Sequence, residues 1–336
     1  MVSRRQFVIT LGGAVVAVAS RVAHGQQGAE TPGATMNIDL FANGAYLFQK
    51  ITSLGGASEL KVSGSYPRYR NFLREGYDPG HLFGAKLMQP CGAGQSGNCL
   101  QPGQLPYDLN GDGVPDAESD VLTFLNQPRG LSDLFNGNAI LLENGLNSDL
   151  GKPTPDWTGA WGGTMTFFKN WRLYTLFEYK TGNYTYTCLT CGFRNASTRA
   201  RNSPETARVG AILADPASTP EQRLDAAKEW VYKLAALTPY DGLNQNSPGD
   251  FMRWRELSLT YQASPSLAAK MRARDLSITL SGRNLALWTK YVGTDPEVNA
   301  IGRTLGGGRD SNYLDSVDSF NLPLPRRVGL SVRLGY

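Results

Sequence analysis

The residues best suited to chemistry lie in one short run, DLNGDGVPD, residues 108 to 116. Asp108, Asn110 and Asp112 alternate and are followed by Gly113 and Asp116. In the first half of an EF-hand loop, oxygen ligands at alternating positions converge on a hard cation and a glycine permits the sharp turn. The twelfth position, where a bidentate Glu belongs, is Ser119, with Asp120 one place late. An Asx-rich turn holding no ion is the alternative. Calcium is therefore the single candidate cofactor.

Four cysteines form two local pairs, Cys91 with Cys99 and Cys188 with Cys191. In an exported chain such pairs are expected as disulfides. A four-thiolate zinc site is the alternative, although the wider spacing suits it poorly and no zinc-binding histidine is near. Free thiols are a third state. The catalytic inventory is thin. Beyond residue 25 the one histidine is His81, in a Gly/Pro-rich stretch, and no GxSxG, HExxH or P-loop pattern occurs. Loop carboxylates are numerous enough for a glycosidase pair, yet nothing singles one out. No enzymatic activity is expected. Arg253, Arg255 and Glu256 read as a solvated strand end in preference to a lumen or ligand cluster.

The elements that position these residues begin after an export signal, residues 1 to 25. Arg4 and Arg5 precede an apolar run from Phe7 to Ala19, and Ala23-His24-Gly25 makes a small-residue exit. Ser3-Arg4-Arg5-Gln6-Phe7 also has the twin-arginine pattern. Without those 25 residues the 33 basic and 29 acidic side chains become 30 and 29, because three arginines and no acid leave. A near-neutral chain carries no nucleic-acid footprint. Mean hydropathy is −0.31, and past the signal no stretch reaches the roughly 20 apolar residues of a membrane helix. A membrane β-barrel escapes that test, since half of each strand is polar.

Period-2 alternation recurs. Trp157, Gly159, Trp161, Gly163, Met165 and Phe167 share one strand face, and Lys169-Asn170 forms a tight turn. The return strand sets Trp171, Leu173, Phe177 and Tyr179 against Arg172, Glu178 and Lys180. Its eight steps of about 3.3 Å, tilted by about 40°, rise roughly 20 Å, near the apolar height of an outer-membrane barrel. FMRWRELSLTYQ and LSITLSGRNLALW alternate likewise. So does the final VGLSVRLGY, which reaches an aromatic terminus in register, as a closing barrel strand does. MNIDLFANGAYLFQK and PRYRNFLREG are further strand candidates. Long external loops are expected over residues 77–156, 182–249 and 289–325. Within the second, Ser203-Pro204-Glu205 and the capping box Thr219-Pro220-Glu221-Gln222 open short helices, the latter running through Leu224, Ala227, Val231 and Leu234.

Three segments taken together resemble the C-terminal portion of TonB-dependent outer-membrane receptors of the SusC/RagA family. They are LGKPTPDWTGAWGGTMTFFKNWRLYTLFEYKTGN, FMRWRELSLTYQ and LSITLSGRNLALWTKYVGTDPEVN, in the family's order, with DLNGDGVPD upstream. The resemblance covers roughly residues 36 to 336. It implies an all-β fold: an antiparallel transmembrane β-barrel segment of about seven or eight strands out of about 22, with long external loops that contain short helices. It also implies residence in the outer membrane, contact with its lipid, a lid lipoprotein of the SusD type and coupling to the TonB complex. The substrates implied are oligosaccharides or peptides.

The chain departs from the family in strand number and in having no plug, the part through which TonB would act. A fragment of a longer gene is the expected explanation, ahead of a truncated paralogue or a small closed barrel. The competing function is a soluble exported β-protein that binds glycans through its loops, with or without calcium.

Overall fold

The computed structural model describes residues 8–14, 36–62, 70–135, 140–188, 190–191, 203–233, 245–298, 316–318 and 322–336. Its largest unit is an antiparallel sheet of seven strands in the order β1-β2-β7-β8-β11-β12-β14. These are β1 (Val8–Ala14), β2 (Asn37–Ser53), β7 (Trp157–Phe167), β8 (Trp171–Thr181), β11 (Phe251–Gln262), β12 (Asp275–Thr289) and β14 (Arg327–Gly335). A second sheet of four short strands contains β3 (Leu60–Lys61), β4 (Asn71–Leu73), β5 (His81–Gly84) and β6 (Ser148–Gly151). A third joins β10 (Gln245–Pro248), β9 (Thr185–Cys188) and β13 (Val317–Asp318). The fold is all-β with a few helices, and no described helix is long and apolar enough to cross a membrane.

Alternation of residue type fixes the register, because a one-residue slip would turn every side chain to the wrong face. Ile38, Met165, Leu173, Leu259, Leu280 and Leu330 stand opposite one another in a single row across six strands. The neighbouring row is Asn37, Thr166, Arg172, Thr260, Thr279 and Ser331. The β7–β8 turn is three residues long, Phe168-Lys169-Asn170, not the two expected. Phe168 and Lys169 both adopt positive φ, 49° and 64°. The β11–β12 connection at the same end holds only a short helix, Pro265–Lys270.

At the opposite end the connections are long and fold upon each other. Helix α1 (Glu118–Phe124) comes from the β2–β7 connection; α2 (Pro204–Ala214) and α3 (Pro220–Lys233) come from the β8–β11 connection. Their apolar sides meet around Trp230, Tyr107, Leu134, Val209 and Leu213, all almost fully buried. Tyr107 Oη donates to the Ala227 carbonyl at 2.8 Å across 120 positions of sequence. The capping box opening α3 is reciprocal: Gln222 N donates to Thr219 Oγ1 at 3.3 Å, and Thr219 N donates to Gln222 Oε1 at 2.8 Å. Leu224, Ala227 and Val231 are buried as their spacing requires; Leu234 lies outside the described residues.

Of PRYRNFLREG, residues 71–73 form β4, and residues 67–69 lie outside the described residues. Of the segment read as an export signal, residues 1–7 and 15–25 lie outside them as well. Val8–Ala14 pairs antiparallel with β2.

Candidate functional site

One face of the large sheet is apolar and uncovered. Leu40, Trp161, Leu280, Leu330 and Val328 are between 42% and 79% exposed. Aromatic side chains gather at both margins of this band. Near the short turns, Phe167 stacks with Trp171 at 6.4 Å and Trp171 meets Tyr261 at 4.9 Å. Toward the long connections, Trp161, Phe177 and Trp254 form a stacked run at 4.2 and 5.5 Å, with Trp288 6.5 Å from Phe177. Gly159 leaves room for the Tyr179 ring, since a Cβ there would sit 2.7 Å from the ring. Two aromatic margins thus flank the apolar band.

The other face is polar and carries a buried ion-pair cluster. A β-bulge leaves the Arg255 backbone without a register partner on β8, because Trp254 pairs with Phe177 and Glu256 with Leu176. Arg253 Nη2 meets Asp295 Oδ1 at 2.5 Å, and its Nε lies 2.5 Å from Glu297 Oε2. Arg255 contacts Glu178 at 2.5 Å and also pairs with Glu297. The expectation of a solvated strand end is thereby corrected for the two arginines. Residues 295–297, in the connection after β12, fold back over β11 and exclude water from Arg253, which is 3% exposed. Glu256 is on the periphery, 3.7 Å from its cross-strand neighbour Arg283.

A second buried polar group surrounds Asp318. It accepts from Thr190 Oγ1 at 2.9 Å and from Tyr291 Oη at 3.1 Å. Burial, reinforced by the Asp318 carboxylate, pushes the Tyr291 hydroxyl pKa upward. Beside it Cys188 and Cys191 are joined by a disulfide, and Cys91 is joined to Cys99, with Cα separations of 5.2 and 4.9 Å. Asp295, Glu297, Asp318 and Tyr291 were not singled out from sequence. The one available signal was the Asp-Pro-Glu run at 295–297.

The 108–116 loop closes on its own backbone. Asp108 accepts from Gly111 N at 2.7 Å, Asp112 N at 3.0 Å and Gly113 N at 2.9 Å. Asp116 accepts from Leu109 N at 2.6 Å. Asn110 accepts from Asp112 N, and Asp112 from Val114 N. Burial raises the Asp116 pKa, and the nearby carboxylates of Asp108, Asp112 and Asp120 add to that rise. Among the described residues, no three His, Cys, Asp or Glu side chains stand together in a metal-binding arrangement. His81 bonds Asp149 through Nε2 at 2.8 Å.

These features define a class: an all-β chain whose main sheet has one open apolar face and one polar face. No family model matches it. Its particular likeness is to TonB-dependent receptors. Over 236 residues it is 25% identical to TonB-dependent receptor P3 of Formosa agariphila, a span of 69% of this chain and 20% of that protein. Its fold is similar to the solved RagAB peptide transporter, with a TM-score of 0.51, 16% identity and coverage of 94% of this chain and 28% of that one. The RagAB peptide importer in its closed-closed state gives 0.50, 16%, 94% and 28%. The chain thus spans about a fifth of the curated relative's length and under a third of the solved chains.

Proposed function

We propose that this chain forms a sector of the wall of an outer-membrane TonB-dependent receptor of the SusC/RagA type, serving uptake of oligosaccharides or peptides. One observation carries the reading: the apolar row from Ile38 to Leu330 runs unbroken across six strands, with Ile38, Leu280 and Leu330 exposed and Met165, Leu173 and Leu259 half-buried. A soluble sheet would bury such a face against a second layer. Lipid needs no second layer. The polar face then lines the lumen, and the long connections lie outside the cell, as long loops do in such barrels.

On this reading the wall is completed by further strands, because unpaired backbone groups at an open edge are not tolerated in hydrocarbon. The partners are a SusD-type lid lipoprotein and the TonB complex, and residues 1–25 direct export. The test is cysteine labelling in cell fractions. Leu280→Cys should react with a lipid-soluble maleimide and resist a charged one, and Thr279→Cys should do the reverse, both in the outer-membrane fraction. A chain found in the soluble fraction, with position 280 open to the charged reagent, would sink the proposal.

A further inference from the structure

On the polar face of the large sheet a shallow hollow of about 270 Å³ opens between β8 and β11, lined by Arg172, Tyr174, Ser258 and Thr260. The register explains why these four converge. Arg172 stands opposite Thr260 and Tyr174 opposite Ser258, so all four side chains leave the sheet on one side, in two adjacent rows. Arg172 is exposed, and among the described residues it is in no ion pair. Its other cross-strand neighbour is Thr166, and the diagonal positions hold Thr164 and Gln262. No carboxylate occupies a neighbouring position. The arginines nearer the long connections, Arg253, Arg255 and Arg283, each have one. Thr260 Oγ1 bonds Thr279 Oγ1 at 2.9 Å, and the Tyr174 ring is backed by Phe41 at 6.4 Å.

We propose that this hollow holds one uronate residue of an acidic oligosaccharide, an inference that deepens the uptake reading above and rests on it. A guanidinium offers a carboxylate two parallel N–H donors, a pairing that a neutral sugar cannot return. The hollow is smaller than the roughly 300–1,000 Å³ of sites for drug-sized ligands, so it admits a single ring of a longer chain. Around Arg172 the polar groups are hydroxyls, apart from the Gln262 amide. A hydroxyl both donates and accepts, as the hydroxyls of a sugar ring do. An acidic peptide would bring its carboxylate on a methylene stem and leave those hydroxyls to water. The hydroxyl surround therefore selects the sugar.

The experiment uses the full chain, purified from outer membranes in detergent, with trigalacturonate, its methyl ester and triglutamate as probes and titration calorimetry as the readout. Trigalacturonate should bind about tenfold more tightly than either of the others. Arg172→Gln should weaken it to the level of the ester, and Arg172→Lys should recover only part of the loss, because an ammonium lacks the fork. Thr260→Val should weaken acid and ester alike, by about threefold. Arg283→Gln, which removes a like charge two strands away, should leave the affinity unchanged. Equal binding of the acid and its ester overturns the carboxylate site, and equal binding of triglutamate overturns the sugar in favour of an acidic peptide. Absence of binding by a chain that passes the Leu280→Cys labelling test overturns this proposal alone. Failure of that labelling test overturns the membrane reading and this proposal together.

Discussion

Arg253 on β11 and Asp295 in the connection after β12 meet at 2.5 Å with only 3% and 2% of their side chains exposed. Asp295 also accepts from Leu324 N at 3.2 Å and from Glu297 N at 3.0 Å. One carboxylate thus ties β11 to both limbs of a long connection.

Asp295→Ala should cost about 1–3 kcal/mol, because it removes one of the two carboxylates on a buried guanidinium and leaves Glu297 alone with it. The joint replacement Arg253→Met with Asp295→Leu should recover most of that loss. Urea unfolding of the solubilised chain, followed by tryptophan fluorescence, measures both. A single variant no worse than the double one would show that the pair is not desolvated.

The Tyr179 ring occupies the space a side chain at Gly159 would need. Gly159→Val should therefore destabilise by about 1–3 kcal/mol through overcrowding. Pairing it with Tyr179→Ala should relieve only part of the strain, because the Asn43 carbonyl, closer still to such a Cβ, stays in place. The readout is the temperature at which the folded band is lost on an unheated gel. A Gly159→Val chain as stable as the wild type would show that neither group crowds the position.

Lys61 is held at a pKa of about 8, chiefly by burial and secondarily by the Arg70 charge. The folded amine releases its proton near pH 8 and the unfolded one near the ordinary 10.5. Between those values the unfolded chain binds more protons, so this group makes stability rise with pH across that window. At pH 8, acylation followed by peptide mass spectrometry should modify Lys61 ahead of Lys169. Equal rates would contradict the depressed pKa.

Asp108 accepts three backbone amides, so Asp108→Ala should cost about 1–3 kcal/mol with no calcium present. Chelation should leave the wild-type melting temperature unchanged. A rise of several degrees on adding calcium would instead make residues 108–116 a cation site, with Asp116, whose pKa is raised, among its ligands.

Strand periodicity was legible because each strand needs only a local, two-residue repeat: Trp171 to Tyr179 and Leu276 to Leu280 announce their faces without reference to any neighbour. The helix starts at Ser203 and Thr219 were legible for the same reason, since a cap is a four-residue matter. The burial of Arg253 was not. It depends on Asp295 and Glu297, 42 and 44 positions further on, and the alternation around Arg253 and Arg255 suits a wet surface equally well. The core around Trp230 was hidden too, because Tyr107 and Leu134 belong to a stretch whose Gly, Pro and Asn content reads as loop. Of the small sheet, β4 falls within the strand candidate PRYRNFLREG, whereas β3, β5 and β6 escaped notice because they are only two to four residues long.

The uneven spacing of the strands along the chain dictates an order of assembly. Three residues separate β7 from β8, and about a dozen separate β11 from β12, whereas roughly a hundred separate β2 from β7. Closing a segment that long costs on the order of 4 kcal/mol of chain entropy before any pairing is gained. The two hairpins therefore zip first, β8 and β11 dock next, and β2 is recruited last. The helical core around Trp230, built from both long connections, cannot set until that recruitment nears completion, so it acts as the late clasp on a sheet that grows from its C-terminal side.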